Sequence, residues 1–202
     1  YKRQPVFKVV NLLETQVVLW ELTESDYDIA VALECTHALV NNEFNAKYLR
    51  NTYGWQFALK NFLENEYFGI YKDDHGKPFL LHSMQQIAVS HTKQMIALAI
   101  HPDKSVGIDI ETCSEKIERV KHKFMSAQEL QKHDSNEDLT RIWCAKEAVY
   151  KLNGKKGVSL QNDISVLMTG NDSGEIHLCQ QYLANYTSFL INDLMVVLAV
   201  KA

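Results

Sequence analysis

Between residues 67 and 111 four short apolar runs follow one another across brief polar turns: YFGIY (67–71), IAVS (87–90), MIALAI (95–100) and VGIDIE (106–111). Links as short and turn-rich as HPDKS favour antiparallel neighbours. VVLWEL (17–22), segments near 163–168 and 175–179, and LMVVLAV (194–200) also read as strands. Helical periodicity covers about 26–41, 44–65, 116–131 and 137–152. In the second of these stretches Phe44, Tyr48, Trp55, Leu59 and Phe62 recur at helical intervals, and in the third Ile117, Val120, Phe124 and Leu130 do. The order of elements predicts an α+β chain of two similar α/β halves, with antiparallel sheets and packed helices. No convincing sequence repeat relates the halves. With three prolines, eight glycines and no low-complexity linker, any boundary is tight; it is placed to give halves 1–100 and 101–202.

A net charge of −4 over 202 residues argues against a general nucleic-acid coat or a polybasic membrane anchor. Cys35, Cys113, Cys144 and Cys179 are scattered without a Cys-x-x-Cys pair, which disfavours a zinc knuckle or redox motif and suits free thiols in a reducing compartment. Lys8 and Glu14 interrupt the first apolar positions, and no run approaches the roughly 18 apolar residues of a membrane span. The expectation is a soluble, cytoplasmic protein.

Two apolar segments carry charge that needs a reason. On a strand successive side chains alternate, so VGIDIE sends Val106, Ile108 and Ile110 to one side and Asp109 and Glu111 to the other. Like charges at i and i+2 repel unless something positive lies between them. A solvated strand face is the commoner outcome, but hard oxygen ligands at this spacing also suit Mg²⁺. In RIWCAKEAVYK, Leu139, Ile142, Trp143, Val149 and Tyr150 form one helical stripe with Lys146 near its middle. Lys146 must therefore snorkel out, pair with a buried acid or meet a ligand anion. Glu147 and Lys151, one turn apart, can be an ordinary surface pair. Ser90–His91 ends a strand, and HGKP (75–78) reads as a turn with Lys77 exposed.

The combination of SH (90–91), GIDIE (107–111) and WCAKEAVYK (143–151), in this order, resembles the 4′-phosphopantetheinyl transferase superfamily. The GKP turn before the histidine also fits. The resemblance implies the longer type, similar to the surfactin synthetase activator, with a pseudo-two-fold duplicated fold in one chain. It implies transfer of the phosphopantetheine arm of coenzyme A to a serine of an apo acyl or peptidyl carrier protein, releasing adenosine 3′,5′-bisphosphate. By position, Asp109, Glu111 and Glu147 become the Mg²⁺ ligands. Lys77, Ser90, His91, Lys146 and Lys151 contact coenzyme A, with Glu147 and Lys151 taking catalytic roles. First-half candidates for the nucleotide are Lys47, Arg50 and Lys60. The chain is expected to act as a monomer, and Lys116, Arg119 and Lys123 form a candidate docking patch for an acidic carrier protein. A Mg²⁺-dependent nuclease and a non-catalytic binder of coenzyme A or carrier protein are the rival readings.

Overall fold

The structure, a computed structural model, describes residues 7–36, 47–93 and 95–202. Its first sheet contains β1 (Phe7–Leu12), β2 (Thr15–Glu21), β5 (Gln86–His91) and β6 (Met95–His101), in the order β1-β2-β6-β5. A separate hairpin is made by β3 (Ile70–Lys72) and β4 (Pro78–Leu80). The second sheet holds β7 (Val106–Thr112), β8 (Ile164–Met168), β9 (Ser173–Leu178), β10 (Gln181–Ile191) and β11 (Leu194–Lys201), ordered β7-β11-β10-β9-β8. All ladders are antiparallel. The helices are α1 (Asp26–Ala32), α2 (Lys47–Leu63), α3 (Lys116–Val120), α4 (Ala127–Leu130) and α5 (Asn136–Asn153).

Strand alternation builds the layers. Val18, Trp20, Ile96, Leu98 and Ile100 pack with Trp55, Ala58 and Leu59 beneath α1 and α2. Their strand neighbours Val17, Leu19, Ala97 and Ala99 meet Val106, Ile108, Ile110, Val196 and Leu198 of the second sheet. On the far side of that sheet Met195, Val197 and Ala199 pack against α5. The layers are therefore helices, sheet, sheet, helix, and the alanines at 88, 97 and 99 let the sheets approach closely. One pairing order recurs: β2 pairs with β6, which pairs with β5, and β7 pairs with β11, which pairs with β10. At the crossing between the sheets His101 is buried, and its Nδ1 accepts the backbone N–H groups of Asp103 at 3.2 Å and Lys104 at 2.9 Å.

The α+β class with antiparallel sheets is what the sequence predicts. Among the described residues the 26–41 stretch is helical over Asp26–Ala32 and the 44–65 stretch over Lys47–Leu63, and the parts of both that fall in 37–46 lie outside the described residues. The 116–131 stretch is not one helix. It breaks after a 3-10 turn at Lys121–Lys123 and restarts at α4, where Ser126 and Glu129 cap each other's backbone N–H groups. Strands β1, β4 and β10 are additional. No helix among the described residues is long and apolar enough to cross a membrane.

Candidate functional site

The site begins with a close approach. A Cβ on Gly107 would lie 1.8 Å from the backbone oxygen of Ala148, so β7 and α5 touch backbone to backbone there. Glycine on the strand and alanine on the helix are the residues that allow it. The contact also fixes the reach of Lys151, one turn further on, whose Nζ donates to Ile108 O at 3.1 Å and Asp109 Oδ1 at 2.7 Å. Within its sheet β7 pairs only with β11, so its other edge needs other partners. Lys151 supplies one at Ile108 O. Ser90 of β5 supplies another, accepting the N–H of Ile110 at 3.3 Å while its hydroxyl donates to Asp109 Oδ1 at 2.8 Å.

α5 is held for this task at both ends. Ser135 caps its first turn, where Glu137 and Asp138 suit the helix dipole, and Gly154 closes it in the left-handed conformation at φ 67°. Lys77 Nζ, half-buried rather than exposed as the turn reading had it, donates to Leu152 O at 3.1 Å in the last turn.

Asp109, Glu111 and Glu147 line one cavity of 340 Å³, together with Ser90, His91, Trp143 and Lys151. Burial, and then the charge of Asp109, raise the carboxyl pKa of Glu147 above its ordinary value. Burial is also the largest cause of the rise at Glu111, which Asp109 reinforces and Lys116 opposes. Burial and the Asp109 charge thus outweigh the lysines beside Glu111 and Glu147, and Lys151 is already committed to Asp109. A hard divalent cation fits such a donor set. Among the described residues no three acidic, His or Cys side chains converge as a ready-made cage. Mg²⁺ keeps several waters and takes few protein carboxylates, so a cage is not required of it.

A second cavity, of 370 Å³, shares His91 and Lys151 with the first. Its wall adds Lys72, His75, Lys77, Lys155 and Lys156, with Trp55 and Tyr150 as flat apolar surfaces and no carboxylate among the described lining residues. Burial, then the Lys151 charge, lower the His91 pKa. Burial, reinforced by Lys201 and opposed by Asp73, lowers that of Lys77. An acidic cavity and a basic one therefore lie side by side, with Val89, His91 and Lys151 lining both. Lys72, His75, Lys155 and Lys156 were missed in the sequence because two distant turns bring them together; the only local cue is the Gly-Lys-Lys following α5.

Lys146 corrects the sequence reading. It is fully buried, and its three protons go to Glu129 Oε2 at 2.7 Å, Phe124 O at 2.8 Å and Leu160 O at 3.0 Å. It has none left for a phosphate and lines neither cavity. Glu129 is fully used as well, accepting from Ser126 N and Val166 N. Of the three choices left open for Lys146, pairing with a buried acid is the one adopted. Lys60 likewise donates to Ala32 O at 2.6 Å, while the side chains of Lys47 and Arg50 lie outside the described residues. Lys116, Arg119 and Lys123 are exposed together, and Lys121 beside them pairs with Glu118. Cys144, read only as a free thiol, is buried beside Asp109, and burial raises its pKa well above the usual thiol value.

Residues 105–197 match the family model of the 4′-phosphopantetheinyl transferase superfamily. No curated protein matches the chain.

Proposed function

We propose that the chain moves the arm of coenzyme A to a serine of an apo carrier protein with Mg²⁺, in keeping with the match of residues 105–197 to the 4′-phosphopantetheinyl transferase superfamily, whose general chemistry is phosphopantetheinyl transfer. The observation that carries this reading is the shared wall of Lys151 and His91 between the acidic and basic cavities. A diphosphate at that wall would have the cation on one side and its nucleotide end among Lys72, Lys77, Lys155 and Lys156 on the other. Asp109, Glu111 and Glu147 would hold the cation, which neutralises charge on the departing bisphosphate. In this reading residues 1–100 and 101–202 are the two halves of a monomeric enzyme of the longer type.

The chemistry asks the protein mainly for alignment and charge neutralisation. The carrier's serine oxygen forms a bond to the phosphorus on the pantetheine side. The bond from that phosphorus to the bridging oxygen breaks, and adenosine 3′,5′-bisphosphate leaves. Lys151 has one N–H beyond those given to Ile108 and Asp109, and directs it to a phosphate oxygen. Glu147, or a water it holds, takes the serine proton. Lys116, Arg119 and Lys123 face an acidic carrier surface, next to Glu111. A metal nuclease of the D…E-x-K kind finds no support, since Cys113 stands two residues past Glu111 where that motif needs lysine.

Incubation of apo carrier protein, coenzyme A and Mg²⁺, read by intact mass, tests the proposal. The carrier should gain one phosphopantetheine, and excess EDTA should prevent it. Asp109→Ala and Glu147→Ala should each be silent while keeping the wild-type circular dichroism spectrum. Near-normal turnover by either variant would refute the site assignment.

A further inference from the structure

Ser90 lies outside the matched domain, on the edge of the other sheet, yet its hydroxyl reaches the acidic cavity's central carboxylate. A serine has one proton to give. Ser90 gives it to Asp109 Oδ1 at 2.8 Å, and its lone pairs accept from Ile110 N at 3.3 Å. The residue is buried, at 6% relative exposure. A phosphate oxygen can only accept, so Ser90 could serve one only by abandoning Asp109. His91, next on the strand, borders both cavities.

We propose that Ser90 is a positioning residue for the cation site and not a contact to the phosphates of coenzyme A. Ser90 and Lys151 both hold Asp109 by one oxygen, Oδ1, and so set the direction of the other. Ser90 also fastens the edge of β5 to the edge of β7, and therefore fixes the spacing of the cavity walls. The inference rests on the reading of Asp109 as a cation ligand. Partners behind a metal ligand keep its donor atom oriented, and their loss lowers affinity without removing the ligand.

Ser90→Ala deletes one oxygen at a strand edge and leaves the pairing of β5 with β6 in place. Mn²⁺ serves as the probe, its free concentration read by electron paramagnetic resonance without coenzyme A. KM for coenzyme A is then measured at saturating Mg²⁺. Ser90→Ala should weaken Mn²⁺ binding by roughly 10- to 100-fold and leave KM for coenzyme A essentially unchanged. His91→Ala should do the reverse. A higher KM with unchanged Mn²⁺ affinity would make Ser90 a phosphate contact and overturn the inference, as would a variant unchanged in both. Wild-type protein that binds no Mn²⁺ would remove the metal reading itself, and this inference with it.

Discussion

Gly107→Ala tests whether the strand–helix contact builds the site. The added Cβ would stand 1.8 Å from Ala148 O and 2.7 Å from the Ala148 carbonyl carbon, and both are backbone atoms that no rotamer change can move. Real contacts of this kind begin near 3.0 Å, so α5 must withdraw from β7 by at least about 1.2 Å. Lys151 travels with the helix, and its 2.7 and 3.1 Å bonds stretch beyond hydrogen-bonding range unless its side chain rearranges. Overpacking of this sort costs about 1–3 kcal/mol. In a chain of this size that lowers Tm by roughly 2–12 °C, since each kcal/mol is worth about 2–4 °C. Thermal melting by circular dichroism gives the stability, and initial rates at varied Mg²⁺ give the site. The expected result is a folded protein with lower Tm, lower kcat and weaker Mg²⁺ dependence. A variant melting with the wild type and transferring at its rate would refute the idea that this contact sets the position of Lys151.

Lys146→Met should destabilise the fold by about 3 kcal/mol or more, because Glu129 is then left buried without its cation. Its KM for coenzyme A should stay at the wild-type value; a raised KM with unchanged Tm would return Lys146 to the ligand. Reversing Lys116, Arg119 and Lys123 to glutamate should raise KM for the carrier protein and change its salt dependence, with KM for coenzyme A nearly constant. A joint rise in both values would move the patch to the nucleotide site.

What the sequence made legible followed from local rules. The alternation in VGIDIE separates Ile108 from Asp109 without any tertiary knowledge, and a helix over 137–152 is confirmed within a residue at each end. Strand β10 was harder to see, because only Ala184, Tyr186 and Ser188 along its length are buried and polar residues interrupt its pattern. The break before α4 did have a sequence cue, the Ser-x-x-Glu of Ser126 and Glu129, which the apolar periodicity of 116–131 concealed. Lys146 could not be settled from its own helix. Its partner Glu129 lies on another element, and a buried acid and a ligand anion leave the same gap in an apolar stripe. The basic cavity was invisible for a related reason. Residues 72–78 and 150–156 meet only after two sheets have packed.

The pairing of β7 with β11 alone has a temporal side. Asp109 sits opposite Val197, far along the chain, and no other strand of the sheet touches β7. As the polypeptide leaves the ribosome, the acidic strand has nothing to pair with in its sheet until β11 has been made. Long-range antiparallel closure of this kind is among the slower steps in folding. Until then an apolar strand whose β11 edge is open is at risk of wrong association. The face that carries Asp109 and Glu111 is thus completed only by chain made long after it.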